Sequence, residues 1–206
     1  ERKMSRLLKA IGIQLLLIIG LVPASVFAST ITVGSSGADY TSISAAITAA
    51  QSGDVLVLAA ETFTEAGLTV TDKSLSFKGQ GASSTIVQAA SSYNTATDRV
   101  FSLSFSSYST SNIISFEDMT IRYGKKAAAP GGQGGGIAAT ATVLKIIDCE
   151  LNSNIAATTS GGYYGEGGGA IWLSTSDLEA TGSTFDGNSH TSSFTGDMEG
   201  GGAIAF

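Results

Sequence analysis

Between residues 113 and 186, apolar positions recur in a pattern that one straight strand cannot produce. Ile114 and Phe116 lie two apart, three residues bring Met119, and two more bring Ile121. The same spacing returns 30 residues on as Leu144, Ile146, Cys149 and Leu151, and 34 further on as Leu178, Ala180, Ser183 and Phe185. Side chains two apart on a strand share a face. Each set therefore predicts two short strands meeting at a corner where the inward face changes phase. Asp118 and Asp148 fall at that corner, where a short acceptor side chain can bond nearby backbone N–H groups. Gly182 holds the place in the third copy and suits a bend for a conformational reason instead. Upstream, residues 55–58, 68–70, 75–77 and 86–87 read as short strands. Ile43, Ala46, Ile47 and Ala50 recur at helical spacing, which predicts one short amphipathic helix between Ser42 and Ala50.

Two further elements travel with this repeat. Gly168, Gly169, Ala170 and Ile171 return 33 residues later as Gly201, Gly202, Ala203 and Ile204, with a looser relative at 134–137. Asn154 and Asn188, 34 residues apart, each close a short strand. Self-similarity at this period is the signature of a solenoid, one coil per repeat. An asparagine amide donates and accepts at once, so Asn154 and Asn188 are expected to bond one above the other. The segments 155–167 and 189–200 are rich in Gly, Ser and Thr and read as variable loops. A solenoid exposes its interior at each end, so the helix ahead of the first coil is expected to act as a cap, within about 29–60. The clear repeats run over about 113–206, and 17 of the 26 glycines lie in 131–206, so the repeat region is also the turn-rich one. At 43% hydrophobic, with Ile, Leu and Phe regularly placed, the chain is too apolar for general disorder. Only 125–133 keeps that reading.

The opening reads as an address. Arg2, Lys3, Arg6 and Lys9 precede an apolar run at 11–22, and small residues near Val26 and Ala28 predict cleavage after Ala28. Residues 1–28 are thus expected to be a signal peptide, with 1–3 upstream of a start at Met4. A retained anchor needs about 20 uninterrupted apolar residues, and Gln14, Pro23 and Ser25 interrupt this run. Removing residues 1–28 takes four of the 11 basic and one of the 17 acidic residues, leaving seven against 16 and a net charge of −9. Nucleic acid is excluded as an expected partner, because phosphate binding needs clustered Lys and Arg. Cys149 is the one cysteine, so no disulfide forms within the chain.

The stretch Asp39-Tyr-Thr-Ser-Ile43, with Ala46-Ile47, Gly53-Asp54 and Glu61-Thr-Phe-Thr-Glu65, resembles the start of pectin-lyase-like right-handed parallel β-helix proteins. The Gly-Gly-Ala-Ile and Phe-x-x-Asn elements resemble the repeats of polymorphic outer-membrane proteins. The resemblance implies an all-β, right-handed parallel β-helix and an exported passenger, often adhesive, on the extracellular or outer-membrane surface. It also implies a C-terminal anchor or barrel that is not part of this chain, and a natural protein longer than 206 residues.

Pectin-lyase-like folds also include enzymes, and fold alone does not choose. The hydrolases' Asn-Thr-Asp, Asp-Asp and His-Gly motifs do not occur, nor do the esterases' Gln-Asp-Thr and Asp-Phe-x-Phe-Gly. Asp148 and Glu150 beside Lys145 approach a lyase's acidic cluster with a basic partner, but read as the solvated face of a strand. No catalytic residue is therefore assigned. His190 is the one histidine and reads as a loop residue, so no histidine-based metal site is expected. Asp186-Gly-Asn188 and 197–199 carry oxygen ligands without calcium-loop spacing, which leaves calcium as the one cofactor to test. Tyr163, Tyr164, Trp172 and Phe194 lie in or beside the loops, where exposed rings can stack on sugars or contact a partner. The expected function is a non-enzymatic passenger of adhesin type, binding a glycan or cell-surface protein through its Gly-rich loops. The alternative is the front of a polysaccharide lyase or hydrolase whose active site lies beyond Phe206.

Overall fold

A computed structural model describes residues 28–128, 132–158, 167–192 and 201–206. Strand β1 (Thr30–Val33) and helix α1 (Ile43–Ala49) precede the first coil, formed by β2 (Val55–Leu58), β3 (Thr62–Thr64) and β4 (Leu68–Thr71). The second coil holds β5 (Leu75–Lys78), β6 (Ile86–Gln88) and β7 (Phe101–Ser104). The third gains a strand: β8 (Ile113–Glu117), β9 (Thr120–Arg122), β10 (Lys125–Ala128) and β11 (Ile137–Thr140). The fourth repeats it as β12 (Val143–Ile147), β13 (Glu150–Asn152), β14 (Ile155–Thr158) and β15 (Ile171–Ser174). A further coil follows as β16 (Asp177–Thr181), β17 (Thr184–Asp186), β18 (Ser189–Ser192) and β19 (Ile204–Ala205).

Strands stack on their counterparts in neighbouring coils, always parallel, into sheets of order β1-β2-β5-β8-β12-β16, β3-β6-β9-β13-β17, β4-β7-β11-β15-β19 and β10-β14-β18. The chain is an all-β parallel β-solenoid of about four turns, with one short helix among the described residues. The sequence repeat is the stacking register: Leu144 sits between Ile114 and Leu178, and Leu151 between Ile121 and Phe185.

Along core-facing strands such as β2, β4, β5 and β7 inward side chains alternate with outward ones, and each coil adds its section to one continuous core. Phe77, Phe101 and Phe116 are fully buried, with Phe77 stacked on Phe116 at 4.9 Å between centroids and Phe101 tilted against both. Helix α1 covers the core at the first coil through Ile43, Ala46 and Ile47. Lys73 reaches back with Nζ to the carbonyls of Ile47 and Ala50 at the helix end, where a cation suits the exposed carbonyls. In the last coil Leu178 and Phe185 are only half-buried, and Ala180 is exposed.

Of the three corners, Gly182 bends through its conformational freedom as expected, and the two aspartates depart from expectation. Asp118 and Asp148 turn with left-handed φ of 56° and 49°, and Gly182 with 62°. Neither aspartate side chain accepts a hydrogen bond from a described residue, so they serve by tolerating the left-handed region rather than by bonding a nearby N–H. Residues 155–158 and 189–192, read as loop, are β14 and β18, and 125–128, read as disordered, is β10. Together they make a whole sheet that hydrophobic alternation did not announce.

Candidate functional site

The glycine pairs and the asparagines turn out to be two halves of one joint. Asn154, fully buried, donates from Nδ2 to the Ile121 carbonyl at 3.1 Å and to Asn188 Oδ1 at 3.0 Å. Its Oδ1 accepts the Gly124 N–H at 2.9 Å. Asn188 accepts the Asn154 N–H and donates to the Leu151 carbonyl at 2.7 Å. The predicted ladder thus forms and ends on glycine in the coil before. Facing it, the glycine runs of the third and fourth coils cross so close to the β10-β14-β18 sheet that no side chain fits between. A Cβ on Gly135 would lie 2.3 Å from the Ile155 carbonyl oxygen. One on Gly169 would lie 2.5 Å from the Ser189 backbone nitrogen, and one on Gly136 would lie 3.2 Å from the Asn154 amide.

These glycines also pair in register. Gly168, Gly169 and Ala170 donate to the carbonyls of Gly201, Gly202 and Ala203, and Ile171 stacks opposite Ile204. The segments between the asparagine corner and the glycine run therefore leave and rejoin the rod at stacked positions, Thr158 beside Ser192 and Gly168 beside Gly201. Tyr163, Tyr164 and Phe194 belong to these segments and lie outside the described residues. Trp172 is half-buried beside buried Ile171 and lines an open cleft of about 420 Å³ with Gln133, Ser174, Thr175 and Phe206.

The charged residues singled out above serve the framework. Lys145 pairs with Glu179 of the next coil at 2.7 Å. Cys149 is buried, and that burial pushes its thiol up to about 11. His190 stands on β18 rather than in a loop, with Nε2 3.1 Å from Thr158 Oγ1. The amide of Asn188 is engaged in the ladder with Asn154 and Leu151. Among the described residues no three His, Cys, Asp or Glu side chains gather as metal ligands, and no helix is long and apolar enough to cross a membrane.

At the first coil four carboxylates hold backbone N–H groups. Asp39 accepts from Thr32, Glu61 from Ser35, and Glu65 from Ile43 and Ser44 at the start of α1. Asp54, buried, accepts from Ser29 and Gln51 at 2.8 Å. These bonds hold the Asp39 and Asp54 carboxyls below their ordinary value of 3.8. Asp54, Glu61 and Glu65 thus tie strand β1 and helix α1 to the first coil.

One feature had no sequence signal. Arg99, between β6 and β7, lines a cavity of about 290 Å³ with Gly67, Thr69, Asp98, Ser102 and Lys126. It stands outside every repeat, so periodicity could not mark it. Comparison of the chain with protein-family models, and with curated proteins, gives no match.

Proposed function

We propose that this chain is a non-enzymatic, exported β-solenoid of adhesin type that binds a glycan or cell-surface protein along one side of the rod. One observation carries the reading. The segments 159–166 and 193–200, rich in Gly, Ser and Thr, and the shorter Ala-Pro-Gly stretch 129–131 each connect a strand of the β10-β14-β18 sheet to a strand of the β4-β7-β11-β15-β19 sheet along the sequence. A rigid core with stacked loop insertions is how solenoids build extended binding faces. Trp172 stands beside that line of joints, and aromatic rings serve sugar and protein contacts alike. The resemblance of the Gly-Gly-Ala-Ile and Phe-x-x-Asn elements to polymorphic outer-membrane-protein repeats, and the signal-like residues 1–28, support export to the cell surface.

The test is binding of the full chain to a glycan array and to intact cells. Saturable binding is expected, and replacing 159–166 and 193–200 with short Gly-Ser links is expected to abolish it without lowering the thermal midpoint. Release of unsaturated or reducing sugars from polygalacturonate would overturn the proposal in favour of the polysaccharide-active alternative.

A further inference from the structure

Arg99 is the most conspicuous group that neither the framework nor the proposed binding side uses. Its side chain is half-buried, and its guanidinium makes no hydrogen bond to any described residue. Nε is shut off from solvent with no acceptor, an unfavourable condition for a buried donor. Burial also pulls the guanidinium below its ordinary value, an effect that the Asp98 charge only partly opposes. The nearest carboxylate is already committed: Asp98 Oδ1 takes Lys126 Nζ at 2.9 Å and the Arg99 backbone N–H at 2.8 Å. The cavity wall thus carries two cations against one anion. Ser102 adds a hydroxyl, because it faces outward between buried Phe101 and Leu103, whereas the outward Thr69 hydroxyl donates to the Gly67 carbonyl at 3.0 Å.

Guanidinium is the side chain best matched to a planar or tetrahedral oxyanion, because its N–H groups form a rigid fork. The whole chain is acidic, at −6, and an acidic surface repels an extended polyanion while leaving a single charge free to enter a local positive site. We propose that this cavity binds one carboxylate or sulfate group carried on a small, otherwise uncharged ligand, with Arg99 and Lys126 as its cationic arms and Ser102 as a flanking donor. The site is independent of whether the loop side binds a glycan.

The experiment follows the Arg99 Nε–Hε resonance of the full chain by NMR. Sodium sulfate and methyl glucuronoside are the charged probes, with sodium chloride and methyl glucoside as matched controls. The expected result is a saturable shift with both charged probes and none with the controls. Arg99→Gln should weaken the glucuronoside affinity, read from the neighbouring Ser102 amide, by about tenfold or more, or roughly 1.4 kcal/mol. Lys126→Gln gives the same test should Arg99→Gln fail to fold, and is expected to weaken binding about threefold or more. Equal shifts with the glucoside, an unchanged affinity in either folded variant, or binding of heparin with neither small anion would overturn the proposal.

Discussion

Asn154 shows how much one side chain can be asked to do. It joins Ile121, Gly124 and Asn188 through four hydrogen bonds of 2.9–3.1 Å, counting its own N–H, so three coils meet at one amide. Asn154→Ala strands buried groups that each cost about 1–3 kcal/mol. We expect a clear drop in the urea midpoint and faster hydrogen exchange at the Gly124 amide; unchanged exchange there would refute the joint. The glycines sort by cause. Gly182→Ala meets a left-handed φ of 62° and a clash with Asp148 Oδ1, the movable end of a side chain. Its cost should be close to the left-handed penalty of about 1–2 kcal/mol. Gly169 has an ordinary φ, but a Cβ there meets fixed backbone at 2.4–2.5 Å. Gly169→Ala is therefore expected to shift the midpoint further, although φ alone ranks the two the other way. The sequence displayed the asparagines and the Gly-Gly pairs but not their partnership. Contact between the two elements is backbone against amide, which leaves no apolar pattern to read.

The same physics decides which elements could be foreseen. Strands facing the core announce themselves by alternation, as in β5 with Leu75 and Phe77 inward. Strands β10, β14 and β18 read KKAA, IAAT and SHTS. They face a glycine backbone instead of a core, so nothing requires large apolar residues at every second position. Helix α1 was legible because its face of Ile43, Ala46 and Ile47 covers true core. Its surroundings add a pH dependence that spacing could not reveal. Hydrogen bonds from the Ser29 and Gln51 N–H groups hold the Asp54 carboxyl below its ordinary 3.8. The folded cap thus takes up that proton less readily than the unfolded chain. The stabilisation is complete above the ordinary carboxylate range and fades as pH falls below 3.8 through the lower folded value. Asp54→Asn should be less stable than the parent at pH 7 and converge with it in acid, as read from thermal midpoints across pH. Parallel curves with no convergence would show that Asp54 contributes only shape.

For the molecule as a whole, the repeat period foretold the architecture because each coil pairs only with its neighbours. Arg99 escaped the sequence reading for the complementary reason: a residue found in one coil alone contributes nothing to a period. Neighbour-only pairing also bears on how the rod meets mechanical force. A globular core yields everywhere at once, but a stack of coils offers separate rungs, each held by its own rows of backbone hydrogen bonds. Pulled by its two ends, the chain should lengthen in steps as coils peel away. Coils in the repeat region are offset by 30–36 residues. A 34-residue coil gives about 115 Å when extended at ~3.4 Å per residue, less one rung of about 4.8 Å. Single-molecule force traces should therefore show a sawtooth with increments of roughly 110 Å. A single rupture releasing the whole length would show that the coils yield together and would refute stepwise peeling, whereas the aromatic contacts of Phe77 and Phe101 with Phe116 should make the second and third coils the hardest pair to part. As a tether, such a rod absorbs work by paying out length one coil at a time, keeping the remaining coils folded under tension.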